Sequence, residues 1–172
     1  MGIKQYFFNK RIKAAKEKAL QFKENSSLSK VKNVLIFIDE TTTLDQKCFI
    51  NLQDQLKIDV SNFSFLTYKT KKSNYNEFSG VVVTQDSFNW KGKITSESLE
   101  GLLNQEFDLL LDYTQNELEI KQLIVPIIKA VFKVSFSNKF PDLYDFMVET
   151  PPDGIKTFNA EIVRYLKILK LI

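Results

Sequence analysis

Apolar residues recur at steps of four and three over residues 3–24. Phe8, Ile12, Ala15, Ala19 and Phe22 form one stripe, and most of the lysines lie elsewhere around the turn. That spacing predicts an amphipathic helix, followed by a polar linker, ENSSLSK (24–30). VKNVLIFIDE (31–40) is the first strand, and its VLIFI run is too continuously apolar for a sheet with one wet face. Such runs point to burial on both faces, as in a parallel sheet. Leu44, Cys48, Leu52 and Leu56 set a helix over 44–57, and NFSFLTYK (62–69) alternates as a strand. KKSNYNE reads as loop, GVVVTQ (80–85) as a short β-branched strand, and SFNWKGKI as irregular chain or an added edge piece.

A short helix over 96–105 has Ser96 as its expected cap, and FDLLLDY is the next strand. Residues 116–130 carry helical spacing, with Pro126 expected to kink or restart the helix because proline donates no backbone hydrogen bond. FKVSFS (132–137) and YDFMVET (144–150) read as strands, and PPDG (151–154) as a turn. A closing helix over 157–172 has Thr157 as its expected cap and Phe158, Ile162, Tyr165, Leu166 and Leu169 inward. After the first helix the order is therefore β-α-β-β-α-β-α-β-β-α. It predicts a three-layer, Rossmann-like α/β domain with a mostly parallel sheet of about six strands and helices on both faces. Residues 1–30 form a basic helix and linker, and 31–172 a single domain.

Composition narrows the chemistry. The 172 residues hold one cysteine and no histidine. Ser-His and Cys-His dyads, histidine metal sites and histidine pH switches are thereby removed, and zinc is left with carboxylates and one thiol. No internal disulfide can form, which fits a cytoplasmic setting. No run approaches the roughly 18–20 apolar residues of a membrane span. The start MGIKQYFFNKRIKAAKEKA is not expected to be a signal peptide, and Tyr6 breaks the myristoylation pattern. Charge is uneven: residues 1–30 hold eight basic and two acidic residues, a balance of +6, while the remaining 142 hold 16 basic and 19 acidic, or −3.

In open parallel sheets ligands bind beyond the carboxyl ends of the strands. Four places qualify: IDETTT (38–43), LDYT (111–114), SFSN (135–138) and VETPP (148–152). A phosphate-cradling loop at the first needs glycines, and DETTT has none while placing two acids where a phosphate would sit. Asp39, Glu40, Thr41, Asp112 and Thr114 are the candidate ligand-binding residues, and an acidic cluster of Asp39, Glu40 and Asp112 could hold Mg²⁺. The plainer reading is that Thr42, Thr43 or Asp45 caps a helix, the acids favour its dipole, and Asp112 merely ends a strand. Cys48 lies on an apolar stripe and reads as packing. No catalytic residue and no cofactor is assigned.

The basic helix supplies the other candidates: Lys4, Lys10, Arg11, Lys13, Lys16 and Lys18, with Trp90 as an exposed anchor or a lid over the sheet edge. Such a helix can follow a nucleic-acid backbone, lie on an anionic membrane or engage a protein partner. It can also simply dock on the domain with its lysines in water. Three functions follow: a non-catalytic binding or adaptor domain, an RNA- or ribosome-associated protein using the helix, and a metal-dependent enzyme at the strand ends.

SFNWKGK, EFDLLLDYTQNE, IIKAVFKVSF and YDFMVET together resemble an uncharacterised family of short Bacteroidetes proteins. That family has an N-terminal helix, a Trp-containing segment and F-D-L-L-I-D, A-K-F-K-V-G and Y-D-L-M-I stretches in the same order. The chain departs at Ser135, where a glycine is usual, and at Pro126. The resemblance implies a Rossmann-like fold and a bacterial cytoplasmic setting, with no assigned activity. FDLLLDYT, a helix and FKVSFS are also similar, over about thirty residues, to the N-terminal half of heptosyltransferase-type glycosyltransferases. The donor-binding half is expected to have no counterpart within these 172 residues.

Overall fold

The computed structural model describes residues 3–42, 46–70, 80–114, 119–136, 139–151 and 154–172. Expectations for Thr43, Leu44, Asp45, the KKSNYNE loop, residues 116–118, Ser137, Asn138 and Pro152 lie outside them. Six strands form one all-parallel sheet: β1 (Val34–Asp39), β2 (Phe63–Tyr68), β3 (Val81–Val83), β4 (Glu106–Asp112), β5 (Lys129–Ser135) and β6 (Phe146–Met147). Their order is β3-β2-β1-β4-β5-β6, so the direction of winding reverses between β1 and β4.

Side-chain alternation divides the core into two layers. On one face Val34, Ile36, Leu109, Leu111 and Val134 pack beneath α2 (Gln46–Leu56) and α5 (Ile155–Ile168). On the other, Leu35, Phe37, Leu66 and Leu110 pack beneath α3 (Glu97–Leu103) and α4 (Lys121–Ile127). Every residue of β1 is buried, as its continuous apolar run predicts for a central parallel strand. The N-terminal helix α1 (Ile3–Glu24) lies over α4 and reaches β5. Ala15 of its predicted stripe is buried, and Phe8, Ile12, Ala19 and Phe22 are half-buried.

Several boundaries differ from expectation, each for a physical reason. The helix over 116–130 ends at Ile127, one residue beyond Pro126, and Lys129 and Ala130 already belong to β5. One of the last carbonyls of α4 is capped from outside, by the Lys133 ammonium donating to the Val125 carbonyl at 2.7 Å. β6 is two residues long, because it is an edge strand pairing only with β5 before the chain turns at Pro151.

At α5, Gly154 is the cap and Thr157 sits inside the first turn. The helix closes with Lys170 in the left-handed region (φ 58°) and Leu171 donating back to the Leu166 carbonyl at 2.9 Å. Leu171 thus takes the inward place expected of Leu169, which is exposed. SFNWKGKI begins at the last residue of a 3₁₀ turn (Gln85–Ser87) and forms an antiparallel bridge between Phe88 and Ile94. The bridge is closed by Asn89–Gly92, with Gly92 at φ 70°. Ser96 caps α3 as expected, accepting from the Leu99 amide at 3.4 Å.

Candidate functional site

Asp112 ends β4 with its side chain turned under α4, and it is 0% exposed. A charge taken that far from water must be paired and hydrogen-bonded. The first carboxylate oxygen accepts the Thr114 amide at 2.8 Å and the Thr114 hydroxyl at 2.7 Å. The second accepts the Tyr144 hydroxyl and lies 3.2 Å from the Lys121 ammonium. Lys121 is itself buried in the first turn of α4 and also reaches the Thr114 carbonyl at 3.4 Å. Burial, followed by the neighbouring Asp112 charge, pushes the Tyr144 hydroxyl well above its ordinary range. Asp112 and Thr114, expected at an open ligand edge, are therefore enclosed in a lock joining β4, α4 and the turn before β6.

Asp39 ends the neighbouring strand and folds its own loop. One of its oxygens accepts the Thr41 amide at 2.9 Å, the Thr41 hydroxyl at 2.7 Å and the Thr42 hydroxyl at 2.9 Å. Thr42 also reaches the Tyr113 carbonyl at 3.2 Å, tying β1 to β4 across the point where the winding reverses. Glu40 is exposed and accepts the Thr70 hydroxyl at 2.7 Å. Among the described residues no group of three His, Cys, Asp or Glu side chains is placed to hold a metal ion. Beside this edge Tyr113 is buried against Phe158 and donates to Asn159 of α5 at 2.6 Å. Cys48 is half-buried against the core between α2 and α5.

The basic helix has two different flanks. On one, Lys16 stands 3.8 Å from Asp142 and Lys23 pairs with Asp145. These residues and Lys133 line a cavity of about 310 Å³. Burial, and then the nearby Lys23 charge, lowers the Lys133 ammonium to about 8. On the other flank Arg11 and Lys18 face Lys93 and Lys129 across a cleft of about 410 Å³ floored by Ile94, Leu123 and Ile127. Trp90 is 55% exposed and rests edge-on against Phe7 of α1 at 5.5 Å, not over the sheet edge. Lys91 lies 4.8 Å from the Trp90 ring centre. Lys10 and Lys13 face water. The Lys4 side chain lies outside the described residues.

Sequence reasoning thus found Asp112 but missed Lys121, Tyr144, Tyr113 and Asn159. Lys121 carried a signal: a lysine in the first turn of the helix after a strand-end acid is poised to pair with it. Tyr144 and Asn159 are distant in sequence and carried none.

The sheet order, the layers and the locked strand ends define a Rossmann-like α/β domain with an added N-terminal helix. Residues 4–169 match a family of unknown function (DUF6913), and the chain belongs to that family. No curated protein and no solved structure matches it. Among the described residues no helix is long and apolar enough to cross a membrane.

Proposed function

We propose that the chain is a non-catalytic binding or adaptor module whose partner engages α1, in a bacterial cytoplasm. The observation that carries this reading is the state of the two acids. Asp112 is buried with both oxygens engaged by Thr114, Tyr144 and Lys121, and Asp39 organises its own loop. Neither offers the accessible carboxylate that a metal site or a general base at the strand ends requires. The cations Lys10, Lys13 and Lys18, by contrast, face water along a helix that is itself firmly docked. The bacterial setting draws its support from the resemblance to short Bacteroidetes proteins.

Deleting α1 would uncover apolar residues of α4, so point variants of the full chain make the cleaner test. Pull-downs from native lysate with wild type and with Lys10→Glu/Lys13→Glu/Lys18→Glu are expected to lose their partner together with the charge. The loss should parallel that seen when salt is raised. Turnover of a metabolite abolished by a conservative change at the strand ends, such as Asp39→Asn, would overturn the reading.

A further inference from the structure

Along one edge of α1, Phe7, Arg11, Ala14 and Lys18 follow one another at helical spacing and face the Trp90 turn. That edge joins two kinds of group. The first is an aromatic pair open to solvent: Tyr6 is 59% exposed and Trp90 55%, with Phe7 edge-on between them. The second is a cationic cleft, in which Arg11, Lys18, Lys93 and Lys129 line the walls against a single acid among the described residues, Glu100.

The turn is built to hold this arrangement. Asn89 accepts the Lys91 and Lys93 amides at 2.9 and 3.0 Å, and Gly92 takes a left-handed conformation close to the Arg11 stem. A positively charged groove beside exposed rings is what an unpaired nucleic-acid strand requires. Cations track its phosphates, and aromatic faces stack its bases. A duplex offers no base faces, and four cations in one cleft suit a run of phosphates.

We propose that the cleft between α1 and the Trp90 turn binds single-stranded nucleic acid, with Arg11, Lys18 and Lys93 on the phosphates and Trp90 stacked on a base. This rests on the reading of α1 as the working face and names its partner. Trp90 is the sole tryptophan, so its fluorescence reports on the turn beside this cleft.

The test is titration of the full chain with twelve-nucleotide single-stranded RNA, the matching DNA and a duplex, following tryptophan quenching and the anisotropy of labelled strands. Quenching by single strands is expected, with the stronger of RNA and DNA identifying the natural source. Three or four phosphate contacts give a log–log salt slope of about −2 to −3. Trp90→Ala should weaken binding about five-fold or more, and Trp90→Phe should restore much of it. Arg11→Gln/Lys18→Gln should flatten the salt slope, while Lys47→Gln on α2 should leave it unchanged.

No binding, equal binding of duplex without quenching, or binding only to phosphatidylserine vesicles would overturn the inference. Such a result alongside a partner still lost in the Lys10/Lys13/Lys18 variant would sink the nucleic-acid assignment and leave the α1 reading standing. Loss of both would remove the reading itself.

Discussion

Asp112→Asn distinguishes a structural lock from a working site. The amide is nearly isosteric and can still accept from Thr114, whose two donors lie at 2.8 and 2.7 Å. It cannot balance Lys121, which is 3.2 Å away and almost wholly buried. Removing one partner of a buried ion pair costs about 3–5 kcal/mol, because the remaining charge is left in a medium that solvates it poorly. For a chain of 172 residues that corresponds to a fall in Tm of about 6–20 °C. The cost belongs to the orphaned ammonium, so Asp112→Asn/Lys121→Met should recover a large part of it. Thermal melts and urea titrations of wild type, both single variants and the double variant close the cycle. A stable Asp112→Asn that loses a ligand or an activity would refute the reasoning and return Asp112 to the role of a working acid.

Tyr113→Phe removes a buried hydroxyl and leaves the Asn159 oxygen without its 2.6 Å donor; a loss of about 1–3 kcal/mol is expected in urea unfolding. Lys133 holds its proton less tightly when folded, with a value of about 8 against an ordinary 10.5. Between those values the unfolded chain binds more protons, so this group makes stability rise with pH, by at most about 1.4 kcal/mol per pH unit. Urea midpoints of wild type and Lys133→Met, measured between about pH 8 and 9.5, should show this rise only in wild type; that range stays below the ordinary tyrosine value, above which the raised Tyr113 and Tyr144 act in the opposite sense. Gly92→Ala places a side chain at φ 70°, with its Cβ 3.4 Å from the Arg11 stem; a loss of about 1–2 kcal/mol and a shift in Trp90 emission are expected.

The layer structure was legible because its signals are local. A continuous apolar run announced β1, and helical spacing announced α1, α2 and α5. Boundaries set by tertiary partners were not. Nothing near Pro126 says that α4 stops at once, since its Val125 carbonyl is satisfied by Lys133 from the following strand. Leu169 fits the inward period of α5, but the left-handed turn at Lys170 gives its place to Leu171. At the candidate site, the strand-end acid was visible as a residue. Whether it faced water or a lysine depended on the face of β4 it occupied and on how α4 packed above it. The cleft beside Trp90 was hidden for the same reason: Phe7, Arg11, Trp90 and Lys129 meet only once α1 lies over α4.

That placement also ties binding to folding. The point where the winding reverses, which in open parallel sheets receives the ligand, is stitched by the Thr42 hydroxyl to the Tyr113 carbonyl and flanked by the Asp112 lock. The groove along α1 has one wall on α1 and another on the Trp90 turn and the α4–β5 junction. A ligand seated there touches both the helix and the body, so it favours the docked over the undocked arrangement of α1. Linkage then requires a stabilisation that grows with the logarithm of free ligand, about 2.7 kcal/mol at a hundred-fold excess over Kd. A ligand that quenches Trp90 should therefore also raise Tm and slow amide exchange along α1 and α4. Quenching with a raised Tm but no slowing of exchange along α1 would place the ligand on the Trp90 turn alone, outside the cleft.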